Sequence, residues 1–111
     1  MKESEWKLYS KLREIAVERM YDRIFDQLEE VVNDSEKGKR ERVIDASDVI
    51  KAGFKDVTAI FDRTGQSRSS ADFGLKLICK EKLLTKEELS SFSDETLEGI
   101  HQFLLLHEID D

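Results

Sequence analysis

The residue types that could do chemistry are few in this chain and lie apart from one another. Glu98 and His101 have the Glu-x-x-His spacing that places two metal ligands on one helical face in di-iron bundles. Such a site needs a second Glu-x-x-His, but His107 is the only other histidine and Leu104 lies three residues before it. We therefore expect neither a metal ion nor another cofactor.

Nucleophilic catalysis also finds little support. Cys79 is the single cysteine, so it can form no disulfide within the chain and cannot close a zinc site without further ligands. A catalytic role would require the fold to bring His101 or His107 to it. Gly65 and Gly74 are too far apart for a phosphate-binding loop, and no Gly-Lys-Ser/Thr follows. These observations favour a buried, inert thiol and a protein that is not an enzyme.

The composition predicts a single helical domain. A chain of 111 residues has the usual size of one domain. Its charged fraction of 39% exceeds the roughly 25% that is typical of soluble proteins, and a thin, well-solvated bundle has this balance. There is no proline, and strand-like alternation never lasts longer than four residues. The start of the chain is charged and leads into no long apolar stretch, so we expect a cytoplasmic protein with no membrane contact.

Residues 4–33 predict one long helix, because they contain no glycine and many good helix formers. Its apolar residues form two groups whose faces differ by something over 90°. They are Leu8, Tyr9, Leu12, Ile15 and Ala16 in the first half, and Tyr21, Ile24, Leu28, Val31 and Val32 in the second. Either the helix wraps a core of its own chain, or its first half contacts a partner or a second copy through Trp6, Tyr9 and Leu12.

The rest of the chain predicts a basic linker, a compact helical unit and a short acidic tail. Residues 34–44 begin with a polar, glycine-containing run, as a linker requires. Residues 45–107 predict helices that start after Asp45 or Ser47, near Ser69 or Ser70, at Thr85 and at Ser93. The first of them should bury Val49, Ile50, Phe54, Val57, Ile60 and Phe61. Residues 108–111 form the tail, and the whole predicts an all-α bundle of four or five helices, as a monomer or a dimer.

Residues 56–78 resemble the helix-turn-helix motif of DNA-binding proteins in outline. They read as a helix, a Thr-Gly-x-Ser turn at 64–67 and a second helix, whose N-terminal residues face the bases in such proteins. The resemblance implies DNA contacts by Gln66, Ser67, Arg68, Ser69, Lys76 and Lys80. Residues 37–82 contain eleven Lys/Arg against seven Asp/Glu, which agrees with that role. Phe61, Gln66 and Gly74 depart from the motif, which normally has a small, an apolar and a non-glycine residue at these positions.

The charge of the whole chain favours a protein partner over nucleic acid. The net charge is −7, and residues 87–111 contain eight acidic residues and neither lysine nor arginine. Such an end can dock a basic partner protein by complementary potential, with Glu95 and Glu98 as contact residues beside Trp6, Tyr9 and Leu12. The sequence therefore predicts a small non-catalytic protein-binding module that regulates or inhibits a partner. A helix-turn-helix DNA-binding regulator is the alternative.

Overall fold

A computed structural model describes residues 1–63 and 66–107. These residues form helices and connecting turns, so the predicted all-α class and the long N-terminal helix are confirmed. The helices are α1 (Glu3–Val32), α2 (Lys39–Val57), α3 (Arg68–Lys80), α4 (Lys86–Leu89) and α5 (Asp94–His107). A π-helical turn, Thr58–Asp62, continues α2. The predicted tail, residues 108–111, and the turn residues 64 and 65 lie outside the described residues.

The α1–α2 pair forms an antiparallel helical hairpin that extends from the rest of the molecule. The molecule measures 52 × 28 × 24 Å, and α1, at about 1.5 Å per residue, accounts for most of the long dimension. The two helices approach closely where a Cβ atom on Gly53 would lie 2.7 Å from Ile24 Cδ1. A glycine, which has no Cβ, allows this close crossing.

The prediction of a linker over 34–44 is wrong for its second half. Only residues 33–38 connect the helices, and α2 begins at Lys39, ahead of the predicted start after Asp45 or Ser47. Residues 39–44 contain lysine, arginine and glutamate, which are good helix formers and need no buried face. Two contacts fix this turn: Arg42 Nη1 donates to the Val32 carbonyl at 2.9 Å, and Lys37 Nζ lies 2.8 Å from Asp45 Oδ2.

The core lies where the first half of α1 crosses α3, α5 and the π-helical turn. Tyr9 and Ala16 of α1 are 1% and 0% exposed, and Phe61 and Leu75 on the facing elements are equally buried. The second half of α1 packs instead on α2. This arrangement explains the two apolar directions of α1, because each half has its own intramolecular partner. The compact unit therefore includes the first half of α1, whereas residues 39–56 belong to the hairpin.

Arginine side chains close several helix ends in this fold. The last carbonyls of a helix have no partner within it and carry partial negative charge, so a guanidinium is a favourable donor there. Arg13 donates to the Phe61 carbonyl at 2.6 Å and Arg23 to the Glu81 carbonyl at 2.8 Å, whereas Arg19 donates at 2.7 Å to the Leu83 carbonyl in the turn between α3 and α4. All three lie on α1, so this helix fixes the ends of the elements that cross it.

The capping box predicted at Thr85 is confirmed and is joined to α1. Thr85 Oγ1 accepts from the Glu88 amide, and Glu88 Oε1 accepts from the Thr85 amide at 2.8 Å. Arg19 donates to both carboxylate oxygens of Glu88, at 2.7 and 2.9 Å. This guanidinium and the Thr85 amide lower the pKa of Glu88 from its ordinary 4.5 to about 2.

We expect Glu88→Gln to lower the free energy of unfolding by about 1–2 kcal/mol at pH 7. Because the folded-state pKa is below the unfolded one, this contribution is complete above pH 4.5 and is lost as the pH falls towards 2. The variant should therefore lose stability less steeply than the wild type over that interval. Urea unfolding at pH 2.5, 3.5, 4.5 and 7 measures both effects. Glu87→Gln, an exposed neighbour, is the control, and an equal loss for both variants would contradict the prediction.

Lys82, directly after α3, has a left-handed backbone with φ of 58°. The Lys82 amide donates to the Cys79 carbonyl and the Leu83 amide to the Ile78 carbonyl, which is the Schellman pattern of helix ends. Glycine is the usual residue at this position because it has no Cβ to clash.

Replacing Lys82 by glycine should raise the free energy of unfolding by about 0.5–1 kcal/mol, since relief of strain exceeds the entropy that glycine adds to the unfolded chain. Lys80→Gly, two residues earlier and inside α3, should have the opposite sign and cost about 1 kcal/mol. Thermal unfolding of the two variants checks this, and a destabilised Lys82→Gly would show that the lysine side chain has a role of its own.

Candidate functional site

Most exposed large apolar side chains among the described residues lie on one side of the α1–α2 hairpin. We call it the hairpin face and define it by side chains on both helices: Tyr21, Phe25, Leu28 and Val32 of α1, and Val43, Ile50 and Phe54 of α2. Phe25 is 64% exposed, Val43 70% and Phe54 59%. Exposure of three such side chains on one surface is unusual in a protein that contacts only water.

Two adjoining grooves run along this face. One, with a volume of about 260 Å³, has walls of Tyr21, Ile24, Phe25, Leu28, Ile50 and Phe54, which are apolar apart from the tyrosine hydroxyl. The other, of about 680 Å³, continues towards the end of the hairpin between Val32 and Val43 and has Lys39, Arg42 and Lys51 at its edges. Ile50 contributes to both grooves, so they form one continuous surface.

The face is open because α1 has apolar residues on more sides than its neighbours cover. At about 100° per residue, Phe25 lies roughly opposite Tyr9, Leu12 and Ala16 around the helix. Those three side chains pack into the compact unit, whereas Ile24 packs on Gly53 of α2. The compact unit thus lies behind the hairpin and leaves the face accessible.

The amount of apolar surface on the hairpin face is large. Six of its side chains are between 37% and 70% exposed. Since a large apolar side chain has on the order of 150–250 Å² to bury, together they offer on the order of 600 Å². That value is at the upper end of the roughly 300–600 Å² found for the largest patch on monomeric proteins, where such patches are often functional.

Charged side chains border the hairpin face, mostly acidic on α1 and mostly basic on α2. On the outer side of α1 lie three exposed acidic residues, Glu18, Asp22 and Glu29. On the outer side of α2 lie three exposed basic residues, Arg40, Lys51 and Lys55. None of the six forms an ion pair within residues 1–63 and 66–107. The two rows, which we call the acidic row and the basic row, are available to a partner.

The structure places the predicted protein-contact residues of α1 in the core. Tyr9 is 1% and Leu12 5% exposed, and Trp6 is half-buried with its ring centroid 6.0 Å from that of Tyr9. The expectation that Tyr9 and Leu12 meet a partner or a second copy is therefore wrong, because α3, α5 and the π-helical turn already cover this part of α1. Glu95 and Glu98 are exposed on α5, as a contact role would need.

Glu95 borders a cleft of about 590 Å³ between the start of α1, α3 and α5. At its base Glu5, only 8% exposed, accepts from the Ser93 amide at 2.7 Å and from the Thr96 hydroxyl. These hydrogen bonds, above all that from the Ser93 amide, lower the pKa of Glu5. The carboxylate therefore stabilises the N-terminal end of α5, and this structural role accounts for its burial.

Most of the residues that the helix-turn-helix resemblance assigns to DNA make contacts within the chain. Gln66 Nε2 donates to the Asp62 carbonyl at 2.8 Å, the Ser67 amide donates to Ser70 Oγ, Arg68 pairs with Glu3, and Lys76 lies 2.7 Å from Asp72. Ser69 and Lys80 are exposed. The proposed reading helix, α3, packs on α1 and α5 and buries five of its thirteen residues. The predicted turn itself falls partly on residues 64 and 65, outside the described residues.

The candidate chemical groups are not brought together. Cys79 is 8% exposed and burial raises the pKa of its thiol to about 11, so the predicted buried thiol is confirmed. His101 and Glu98 are exposed, and Glu98 accepts from Gln102. His107 stacks on Phe103 at 4.1 Å. Across residues 1–63 and 66–107, no three histidine, cysteine or carboxylate side chains cluster as metal ligands.

Sequence reasoning missed the hairpin face and expected Ile50 and Phe54 to be buried. Both have the helical spacing of Val57 and Ile60, which are buried, but they lie on the part of α2 that extends beyond the compact unit. The sequence pattern assigned Val43 to the linker, and it predicted no function for Phe25. A usable signal was present, since the apolar residues of both helices span too wide an arc for one neighbouring helix to cover.

No helix among the described residues is both long enough and apolar enough to cross a lipid bilayer. Comparison of the chain with protein-family models, with curated proteins and with solved structures finds no match.

Proposed function

We propose that this chain is a non-catalytic, cytoplasmic protein-binding module that acts by docking another polypeptide on its hairpin face. The observation that carries the proposal is the continuous apolar surface from Tyr21 to Val32 and from Val43 to Phe54, with Phe25, Val43 and Phe54 each more than half exposed. Exposed aromatic and branched aliphatic side chains of this kind, surrounded by charges, are typical of the centre of a protein interface.

The proposal includes a regulatory or inhibitory role, because a non-catalytic protein affects its partner by covering part of the partner's surface or by holding the partner in place. A basic partner can also contact the acidic end, where Glu95 and Glu98 are exposed on α5. We expect those charges to affect the rate of association and its salt dependence, while the hairpin face provides most of the affinity.

Site-specific photo-crosslinking tests the proposal. Benzoylphenylalanine at position 25 should form covalent protein adducts when the full chain is irradiated in its host cells. The same residue at position 106, where leucine is 71% exposed on α5 and outside the hairpin face, is the matched control. Adducts should form at position 25 and disappear when Phe54, on the opposite wall of the groove, is replaced by glutamate. Adducts at neither position, or equally at both, would contradict the proposal.

A further inference from the structure

We propose that the polypeptide docked on the hairpin face is a second copy of this chain, so that two hairpins form a parallel four-helix bundle. This inference rests on the proposed function and names the partner of the same surface. It depends on three features of the hairpin: the area of the face, the position of the compact unit, and the distribution of charge.

The hairpin face together with its charged borders is large enough for a stable dimer. Standard protein interfaces bury about 800 Å² on each partner. The exposed apolar side chains contribute on the order of 600 Å², and the charged rows on both sides can supply the remainder. The grooves between α1 and α2 can also receive side chains of a facing helix pair, as in a four-helix bundle.

The compact unit leaves room for the second copy. It packs on the side of α1 that carries Tyr9, Leu12 and Ala16, roughly opposite Phe25. Two hairpins can therefore approach face to face without contact between their compact units.

The charge rows select one arrangement. A two-fold axis that lies in the interface and runs along the hairpin places α1 of each copy over α2 of the other, so acidic rows meet basic rows. An axis across the hairpin would place α1 on α1 and bring like charges together. Gly53 of α2 lies level with Ile24 of α1 along the hairpin. Because the two helices are antiparallel, Lys55 lies about level with Asp22. By the same count, Lys51 lies within one helical turn of Glu29. In the first arrangement, Asp22 of each copy meets Lys55 of the other.

Sedimentation of the purified full chain provides the first measurement. Between about 1 and 100 µM we expect a species of twice the chain mass of 12.9 kDa. Phe25→Glu combined with Phe54→Glu should raise the dimer Kd at least about 100-fold. Both side chains are exposed in a single copy, so far-ultraviolet circular dichroism should stay unchanged. Leu106→Glu is the control and should remain dimeric.

Charge reversal tests the arrangement with substitutions that leave the apolar face intact. Asp22→Lys with Glu29→Lys, and separately Lys51→Glu with Lys55→Glu, should each raise the dimer Kd about 10-fold or more at low salt. An equimolar mixture of the two variants should form heterodimers, and 1 M salt should reduce all these differences. Unchanged affinity in the single-row variants would overturn the parallel arrangement.

The outcomes for the dimer and for the proposed function are separable. A chain that stays monomeric at 100 µM overturns the proposed dimer, and a dimer that survives the Phe25 and Phe54 substitutions overturns its placement on the hairpin face. If that monomer still gives position-25 adducts with a different protein in cells, the hairpin face is a docking surface with another partner. A monomer without such adducts overturns both proposals.

Discussion

Tyr9→Ala should lower the free energy of unfolding by about 3–5 kcal/mol, the largest effect we expect from any single substitution in α1. The ring is 1% exposed in the core cluster that also contains Phe61 and Leu75, and Arg13 hydrogen-bonds to its hydroxyl. Removing the ring leaves a cavity that surrounding helices, held by arginine contacts, can fill only in part. An interface residue would instead affect association and leave the stability of a single copy nearly unchanged.

Urea unfolding at two protein concentrations measures this effect and separates it from dissociation. Tyr9→Phe, which keeps the ring and removes the hydroxyl, should cost only about 1 kcal/mol. If Tyr9→Ala does not fold, Tyr9→Leu takes its place. The loss of unfolding free energy for Tyr9→Leu should lie between the losses for Tyr9→Phe and Tyr9→Ala. A loss under 1 kcal/mol for Tyr9→Ala would mean that this part of α1 is not the centre of the core.

Gly53→Leu should lower the free energy of unfolding by about 2–3 kcal/mol, because it overfills the crossing of α1 and α2. A Cβ atom at this position would already lie 2.7 Å from Ile24 Cδ1 and 2.9 Å from Ile24 Cγ1. The two helices must then separate or Ile24 must leave its place, and both changes disturb the walls of the groove beside Phe25. We therefore expect the variant to lose hairpin docking as well as stability.

A double-mutant cycle with Ile24→Ala tests the mechanism. Ile24→Ala alone creates space and should be destabilising, but it should reduce the cost of Gly53→Leu by about 1–2 kcal/mol when the two are combined. Ala52→Leu, one residue away at an exposed position, is the matched control and should have little effect. Additive costs for Gly53→Leu and Ile24→Ala would show that the two positions are not in close contact.

The helical class of this chain, and several of the positions at which its helices begin, followed from local properties of the sequence. The absence of proline and the run of helix formers over 4–33 predict α1 almost to the residue, and Thr85 with Glu88 predicts the start of α4. These signals are local, since a cap or a propensity acts through a residue's nearest neighbours in the chain. The same locality explains the error at 39–44. The charged residues 39–42 were assigned to a linker because no apolar residue lies among them, although they are good helix formers.

Burial depended on contacts that local pattern does not contain. Phe54 and Phe61 both belong to one helical apolar stripe, yet Phe54 is 59% exposed and Phe61 1%. Tyr9 and Phe25 likewise lie on the same helix, with the first in the core and the second on the surface. Periodicity identifies which residues share a face, whereas only the packing of other helices decides which face is covered.

By itself the sequence determined an all-α chain, one long N-terminal helix and unequal charge along the chain. The tertiary structure decided that α1 has two different intramolecular neighbours, that Gln66, Ser67 and Arg68 contact other residues of the chain, and that no described element covers the hairpin face. The physical reason is the range of the interactions: helix formation and capping act over a few residues, but burial depends on segments that are distant in the chain.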